Sequence, residues 1–392
     1  QQSTENGLGL NLYVDGRFGS FSTNRLDKKE LETLITNGIE STRYLAVDES
    51  RMLADAARYY KGGKPDLQLF DKKLYEVNPD DKVAIARAAA EEVLGKDERI
   101  ISVDSSYSDG EGSSYRLISN GFEGESKSTW FSVSASVSIK GEGEARPQDY
   151  WYDSALFYDK LTKTGIGAKA LERVLRKLGQ KKAKSGKYTM VVDPMNVGNL
   201  LSPMLSALYG SALQQKNSFL MDKLDTKVAS ALFTLRDEPH AIGANGSRYF
   251  DNEGVATEPR TVFDKGVLKT YFIDTYNGKK MDIAPTISAP SRLILTPGDK
   301  DLNGLVADIK QGILVTGFNG GNSNSSTGDF SYGIEGFLIE DGKLTQPVNE
   351  MNVTGNMVTL WNSLVAVGND PQPNRSWQIP SLVFEGVDFS GL

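Results

Sequence analysis

Apolar and polar residues alternate most regularly between Trp130 and Ile139. Phe131, Val133, Ala135, Val137 and Ile139 fall on one side of a two-residue repeat, and Ser132, Ser134, Ser136 and Ser138 on the other. That period marks a β-strand with one buried and one wet face, as in an antiparallel sheet. Leu8, Leu10, Leu12 and Val14 alternate in the same way with Gly9, Asn11 and Tyr13. Arg99–Asp104 and Ser113–Ser119 read as two further strands. Helical spacing follows Asp27 and Glu30, a capping pair ahead of Leu31, Leu34, Ile35 and Ile39. Asn78-Pro79-Asp80-Asp81 starts a second helix, and Gly95 stops it. A third runs from Ala168 to Lys182, with Leu171, Val174, Leu175 and Leu178 inward. Its other side carries Lys169, Arg173, Arg176, Lys177, Lys181 and Lys182, which reads as a solvated face rather than a nucleic-acid patch.

Tyr188–Val192 is a buried strand by its apolar run. It leads to Asn199–Gly210, where Leu200, Leu201, Met204, Leu205 and Leu208 are spaced for the inner face of a helix. Ser202 and Pro203 read as its N-cap and first residue. Asp264-Lys265-Gly266 joins strands Arg260–Phe263 and Val267–Phe272. Glu340-Asp341-Gly342 joins Phe337–Ile339 and Lys343–Thr345. Asp308–Gly312 leads to a strand, Ile313–Thr316. The stretch Gly317–Gly328, dense in Gly, Asn and Ser, reads as a flexible lid or a slack connection. A strand at Trp377–Phe384 closes the chain. These elements predict an α+β fold. Residues 1–185 form an N-terminal domain of antiparallel sheet and long helices. Residues 186–392 form a strand-rich C-terminal domain with a central buried helix, and Ser185-Gly186 is the boundary.

Composition narrows the chemistry. The 392 residues include no cysteine and one histidine, His240. Disulfides, thiolate metal sites and a zinc site built on two imidazoles of one chain are thereby excluded. The net charge of −7 argues against a nucleic-acid binder. No apolar run approaches the roughly 20 residues needed to span a bilayer, and no secretory signal is visible. A first residue of Gln rather than Met points to a preceding segment. Gly165-Ile166-Gly167-Ala168 matches a dinucleotide fingerprint by letters. The apolar strand that the fingerprint needs is replaced by charged Tyr158–Lys163. His240, in Asp237-Glu238-Pro239-His240, reads as an exposed loop residue rather than a triad member. Asp251 and Glu253 are paired carboxylates suited to acid–base work, or to pinning a turn by accepting backbone N–H bonds. Asp329, in Gly328-Asp329-Phe330-Ser331, could orient a ligand or fix the exit of the long loop.

The ordered set KVASALFTLRDEP (227–239), FDNEGVAT (250–257), GVLKTYFIDTY (266–276), GDFS (328–331), EGFLIEDG (335–342) and VGND (367–370) resembles the TldD/PmbA family. Tyr188–Pro194 and its following helix also match, and Leu8–Thr23 and Ser154–Leu178 fit more loosely. The family is also named for modulation of DNA gyrase; the acidic charge gives no support to direct DNA binding. Family members have a further helix and strand ahead of the point where this sequence starts. TldD-like members are zinc peptidases with an H-E-x-x-x-H helix and a C-terminal cysteine ligand. Laid on this sequence, the histidine positions fall on Ser202 and Ala207 and the glutamate on Pro203, none of which can do that work.

The resemblance therefore implies the PmbA or TldE branch, a cytoplasmic non-catalytic subunit of a TldD-type metallopeptidase that processes unfolded peptides. It implies no cofactor on this chain, zinc only in a TldD-like partner, and a dimer with that partner or with itself. A peptide groove would draw on Asp251, Glu253, Gly328, Asp329, Phe330 and Ser331. Two alternatives stay open: a stand-alone homodimeric peptide-binding protein, and a metal-independent hydrolase using Asp251, Glu253 or Asp329.

Overall fold

The computed structural model describes residues 2–392. A hairpin of β1 (Leu8–Val14) and β2 (Arg17–Thr23) packs against α1 (Lys28–Thr42), whose N-cap Asp27 accepts the Glu30 N–H at 3.1 Å. Ile35, expected inside this helix, is exposed. Helix α2 (Pro79–Glu91) starts where expected, with the Asn78 side chain accepting from the Asp81 N–H at 2.9 Å. The two strands expected at 99–104 and 113–119 are one strand, β3 (Ile100–Ile118), paired along its length with β4 (Phe122–Ile139). Gly110 and Gly112 interrupt the sequence pattern but not the ladder; the Trp130 ring lies where a side chain at 110 would project. β5 (Gln148–Ala155) completes this three-stranded antiparallel sheet. Phe131, Val133, Ala135, Val137 and Ile139 are buried as predicted. They face α2 and α3 (Ile166–Leu175). Burying side chains of this kind contributes about 1.5–3 kcal/mol for each of the larger ones.

Helix α3 is shorter than the sequence suggests, because Gly179 turns the chain away in the left-handed region at φ 71°. Its basic side is not uniformly solvated. Arg173 bonds the buried Asp149 at 3.2 Å, and Lys177 bridges Asp149 at 3.1 Å and Glu335 at 2.7 Å. The Lys177–Glu335 pair ties the first half of the chain to the second.

The glycines ahead of α3 serve packing. The Gly165, Gly167 and Ala168 N–H groups all donate to the Glu92 carboxylate, at 2.6, 2.8 and 3.2 Å. A protein carboxylate thus occupies the anion-binding helix start that a nucleotide phosphate would need. A Cβ on Gly167 would lie 1.9 Å from the Ala89 carbonyl oxygen, so the helices cross in contact there. Gly167→Ala is expected to cost about 1–3 kcal/mol, read as a lower denaturant midpoint at unchanged slope.

The second half is built on β6 (Gly186–Val192), followed by α4 (Val197–Ser206) and α5 (Gly210–Gln214). A five-stranded sheet comprises β7 (Leu235–Asp237), β8 (Arg260–Asp264), β9 (Val267–Leu268), β10 (Leu293–Leu295) and, from further along, the short strand Trp377–Gln378. Helices α6 (Thr275–Met281) and α7 (Leu302–Ala307) flank β10 in the chain. Then come β11 (Gln311–Ser323), β12 (Asp329–Glu340), β13 (Lys343–Asn356), α8 (Met357–Asn362), β14 (Leu364–Val367), β15 (the Trp377–Gln378 strand) and β16 (Leu382–Ser390). β6 lies between β11 and β16, and β13 pairs with both β12 and β16. The circuit β13–β12–β11–β6–β16–β13 closes into a barrel, which leaves few free edges. Both predicted hairpin turns form, with Lys265-Gly266 at φ 46° and 81° and Asp341-Gly342 at φ 45° and 76°. Two successive positive φ values are what a two-residue turn needs to match strand twist. The main core runs from this barrel across α4 to the β7–β10 sheet. It also takes in Phe122, from the far end of the β3–β4 ribbon, and Tyr59. Among the described residues no helix is long and apolar enough to cross a membrane.

Candidate functional site

β6 runs into Asp193, whose buried carboxylate accepts the Asn196 N–H at 3.0 Å and its side-chain amide at 2.6 Å. The same amide donates to the Thr316 carbonyl at 2.9 Å. Burial pushes the Asp193 carboxyl up, against the pull of these bonds. This clasp starts α4 at Val197, about a turn and a half before the expected cap at Ser202. Pro203 consequently sits inside the helix, where it has no N–H for the Asn199 carbonyl. Leu200, Leu201, Met204, Leu205 and Leu208 are buried as predicted, and Trp361 donates its indole N–H to the Leu200 carbonyl at 3.3 Å. The open side of the helix carries Asn199, Ser202 and Ser206. Ser202 is exposed, Pro203 half-exposed, and Ala207, just past the helix, only 1% exposed. These three residues supply no imidazole, thiolate or carboxylate, so they do not fit a zinc ion. Among the described residues no three His, Cys, Asp or Glu side chains converge as a metal site.

The stretch expected to be a flexible lid or a slack connection is mostly sheet. β11 continues to Ser323 and pairs with β12 as far as Phe330, with bulges at Val315/Gly317 and Phe318/Gly321. A Cβ on Gly321 would lie 2.0 Å from the Ser331 carbonyl oxygen, and its φ is 93°. Here glycine builds a tight bulge, not slack. Only residues 324–328 turn, and the turn is held. The Phe219 N–H donates to the Ser325 carbonyl at 3.0 Å, and the Ser325 hydroxyl donates to the Asn217 side chain at 2.7 Å. Asp329 accepts from the Thr327 hydroxyl at 2.7 Å and the Asn356 amide at 3.0 Å, and these bonds, the Asn356 one foremost, hold its carboxyl below the usual range. It fixes the exit of the turn. Gly328 is buried with φ 80°, its carbonyl accepting the Met357 N–H. Phe330 is buried and stacked on Tyr332 at 5.4 Å, and Ser331 is an exposed residue of β12. The β6 pairing of β11 ends at Val315, opposite Val192. Among the described residues no further strand pairs with the outer edge of Gly317–Ser323; just ahead of it the Thr316 carbonyl accepts from Asn196.

Asp251 is buried and fully engaged: it accepts the N–H groups of Glu253 and Val255 at 2.9 and 3.0 Å, and of Ser288 at 3.0 Å. Glu253 accepts the Thr275 N–H and hydroxyl, each at 3.0 Å, and burial pushes its carboxyl up. Asp251 and Glu253 share no hydrogen-bond partner with Asp329. His240 is half-buried, not exposed. It lies against the Thr257 hydroxyl at 3.0 Å and the Tyr249 ring at 5.0 Å, and burial pushes its pKa down. The Thr257 hydroxyl donates its proton to the Arg248 carbonyl at 2.5 Å, so it is not paired with the imidazole as a nucleophile. Four arginines carried no sequence signal: Arg58 and Arg248 donate to carbonyls of the 286–290 stretch, Arg292 lies just beyond it, and Arg260 stands opposite Asp237, which accepts the Ser291 and Arg292 N–H groups. They come from four separate stretches, so no local pattern could have grouped them.

The profile of the PmbA/TldA metallopeptidase C-terminal domain matches residues 185–391, over half of the chain, and that of the central domain matches residues 72–178. The chain belongs to the PmbA/TldD family. It is 28% identical to a metalloprotease PmbA homolog of Haemophilus influenzae, across 99% of this chain and 86% of that one. It is 26% identical to metalloprotease PmbA of Escherichia coli O157:H7, again across 99% and 86%. A crystal structure from Bacteroides thetaiotaomicron, named for modulation of DNA gyrase, is 73% identical with a TM-score of 0.99, covering 100% of this chain and 90% of that one. TldE from Thermococcus kodakarensis shares the fold, at 21% identity and TM-score 0.81, across 98% and 89%. The resemblance first read from the ordered motifs is thus a family relationship, and the family is one of metallopeptidases.

Proposed function

We propose that this chain is a TldE-like, non-catalytic subunit of a TldD-type zinc metallopeptidase that acts on unfolded peptides. One observation carries the reading: the helix that bears the zinc motif in TldD-like members is here Ser202, Pro203 and Ala207, with a proline that removes a backbone donor as well as the base. The free outer edge of Gly317–Ser323 supports a role in holding extended peptide, because backbone pairing with a sheet edge is tolerant of sequence. In this reading Asp329 and Gly328 shape the turn at the end of that edge. Asp251 and Glu253 pin the neighbouring framework.

Affinity capture of this chain from its own source, read by mass spectrometry, is expected to return an H-E-x-x-x-H sister subunit near one to one. Recovery of the chain alone as a homo-oligomer would overturn the heteromeric assignment in favour of a stand-alone peptide binder. The triple substitution Ser202→His, Pro203→Glu and Ala207→His is expected to give neither tight zinc binding nor peptidase activity. The cysteine ligand is still missing, and position 207 is buried. Chelator-sensitive proteolysis by that variant alone would sink the non-catalytic reading.

A further inference from the structure

We propose that Arg58, Arg260 and Ser288 form a carboxylate-binding subsite, occupied by the terminal carboxylate of a bound peptide; the choice of occupant rests on the peptide-handling role proposed above. Arg58 Nη1, Arg260 Nε and Ser288 Oγ are buried and have no hydrogen-bond partner among the described residues. Orphaned donors of this kind are rare in native proteins, and each calls for an acceptor. Arg58 spends Nη2 on the Thr286 carbonyl. Its backbone carbonyl accepts the Ala256 N–H at 2.9 Å, which fixes it beside the Asp251 turn. Ser288 is fixed there too, by its N–H bond to Asp251.

The nearby acids are already engaged. Asp237 stands opposite Arg260 in the β7–β8 ladder, yet its Oδ1 accepts the Ser291 and Arg292 N–H groups at 3.0 and 2.9 Å. Asp251 accepts three backbone N–H groups. Arg260 forms no ion pair with either. Burial, chiefly, and the neighbouring Arg58 charge hold the Arg260 guanidinium below its ordinary value, while Asp237, Asp251 and Glu258 pull the other way, the last of these already paired with Lys64 at 3.1 Å. In a chain of net charge −7, two guanidiniums that lack a carboxylate at bonding distance are a local attractor for anions. The guanidinium fork matches a carboxylate in two-point contact, and the serine hydroxyl supplies a third donor.

The location suits a peptide end. Thr286 donates its N–H to the Ile273 carbonyl at 2.9 Å, and Gly210 donates to the Phe272 carbonyl at 2.8 Å. The subsite is thereby linked, through the 272–273 segment, to the residues that follow α4. All three residues are half-buried while the orphaned atoms themselves are closed to solvent, so a carboxylate reaches them once these side chains turn outward.

The test uses the protein purified from its own source with any co-purifying subunit. An N-acetylated, fluorophore-labelled peptide without acidic residues is compared as free acid and as C-terminal amide by fluorescence anisotropy. The free acid is expected to bind about tenfold tighter, the scale of a charge-assisted two-point contact. That preference is expected to vanish in Arg260→Gln and Arg58→Gln and to survive only in part in Arg260→Lys. Ser288→Ala, which leaves both charges in place, is expected to lower it about threefold and serves if an arginine variant fails to fold. Equal affinity for acid and amide overturns the subsite and leaves the peptide role standing. Binding of neither form overturns both. An amidated peptide that regains the affinity through an internal glutamate supports the subsite and moves its carboxylate from chain end to side chain.

Discussion

Trp361→Ala is expected to cost about 3–5 kcal/mol, among the largest effects available to one substitution here. Trp361 is fully buried in α8. Its ring lies 4.4 Å from that of Phe233 and 5.6 Å from that of Phe384, centroid to centroid. These neighbours come from the segment before the β7–β10 sheet and from the barrel strand β16. Trp361 therefore fills the space where the two sheets meet around α4. The truncation removes that packing and opens a void that rigid sheets cannot collapse to fill. It also leaves the Leu200 carbonyl without its indole donor. Trp361→Phe should cost less, since much of the ring volume stays. Chemical denaturation followed by circular dichroism gives the difference. A loss below about 1 kcal/mol for Trp361→Ala, the range of a surface change, would mean that the α4 interface is looser than its contacts imply.

Asp251→Ala is expected to cost at least about 3 kcal/mol, because three backbone N–H groups lose their acceptor at once and each buried orphan costs about 1–3 kcal/mol. The Asp251 carboxylate joins its own turn to the 286–292 segment through Ser288. Asp251→Asn keeps one oxygen for Glu253 and Val255 but turns an amide N–H₂ toward the Ser288 N–H, so it should recover only part of the loss. This pair also separates structure from chemistry. If Asp251 were a catalytic acid or base, Asp251→Asn would abolish activity in the assembled peptidase at near-native stability. The geometry predicts the reverse, a stability loss with activity retained wherever the protein stays folded. Paired melting curves and peptidase assays on the complex decide it. A fully stable, inactive Asp251→Asn would return this residue to the list of catalytic candidates.

Both effects concern contacts between segments far apart in the chain, and that is where the sequence became silent. The two acids at 251 and 253 suggested either catalysis or a pinned turn. Nothing local could choose between them, because one deciding partner, Ser288, lies 37 residues away. The flexible lid or slack connection expected at Gly317–Gly328 failed for a related reason. A Gly- and Asn-rich run reads as slack when taken alone. Here Gly321 is required by the close approach of the β12 backbone, and the ladder with that strand orders the run. Likewise, the basic side of α3 looked solvated until the fold brought Asp149 and Glu335 against Arg173 and Lys177.

Features governed by near neighbours were settled by the sequence alone. The alternation at 131–139 dictates which face is buried, since successive strand residues must point to opposite sides. Asp27 and Asn78 cap helices through side-chain oxygens that reach only to the third residue on. Lys265-Gly266 and Asp341-Gly342 make tight turns because glycine accepts the positive φ at little steric cost. The absence of cysteine and the identities of Ser202, Pro203 and Ala207 rule out a zinc site on α4 whatever the fold. Tertiary structure decided the rest: that α4 begins at Val197 through the Asp193–Asn196–Thr316 clasp, that five strands close into a barrel, and that Arg58 reaches the Thr286 carbonyl. Those outcomes depend on which distant groups are left to satisfy one another's buried hydrogen bonds and charges. Such pairing has no period in the chain, so it becomes visible only once the chain is folded.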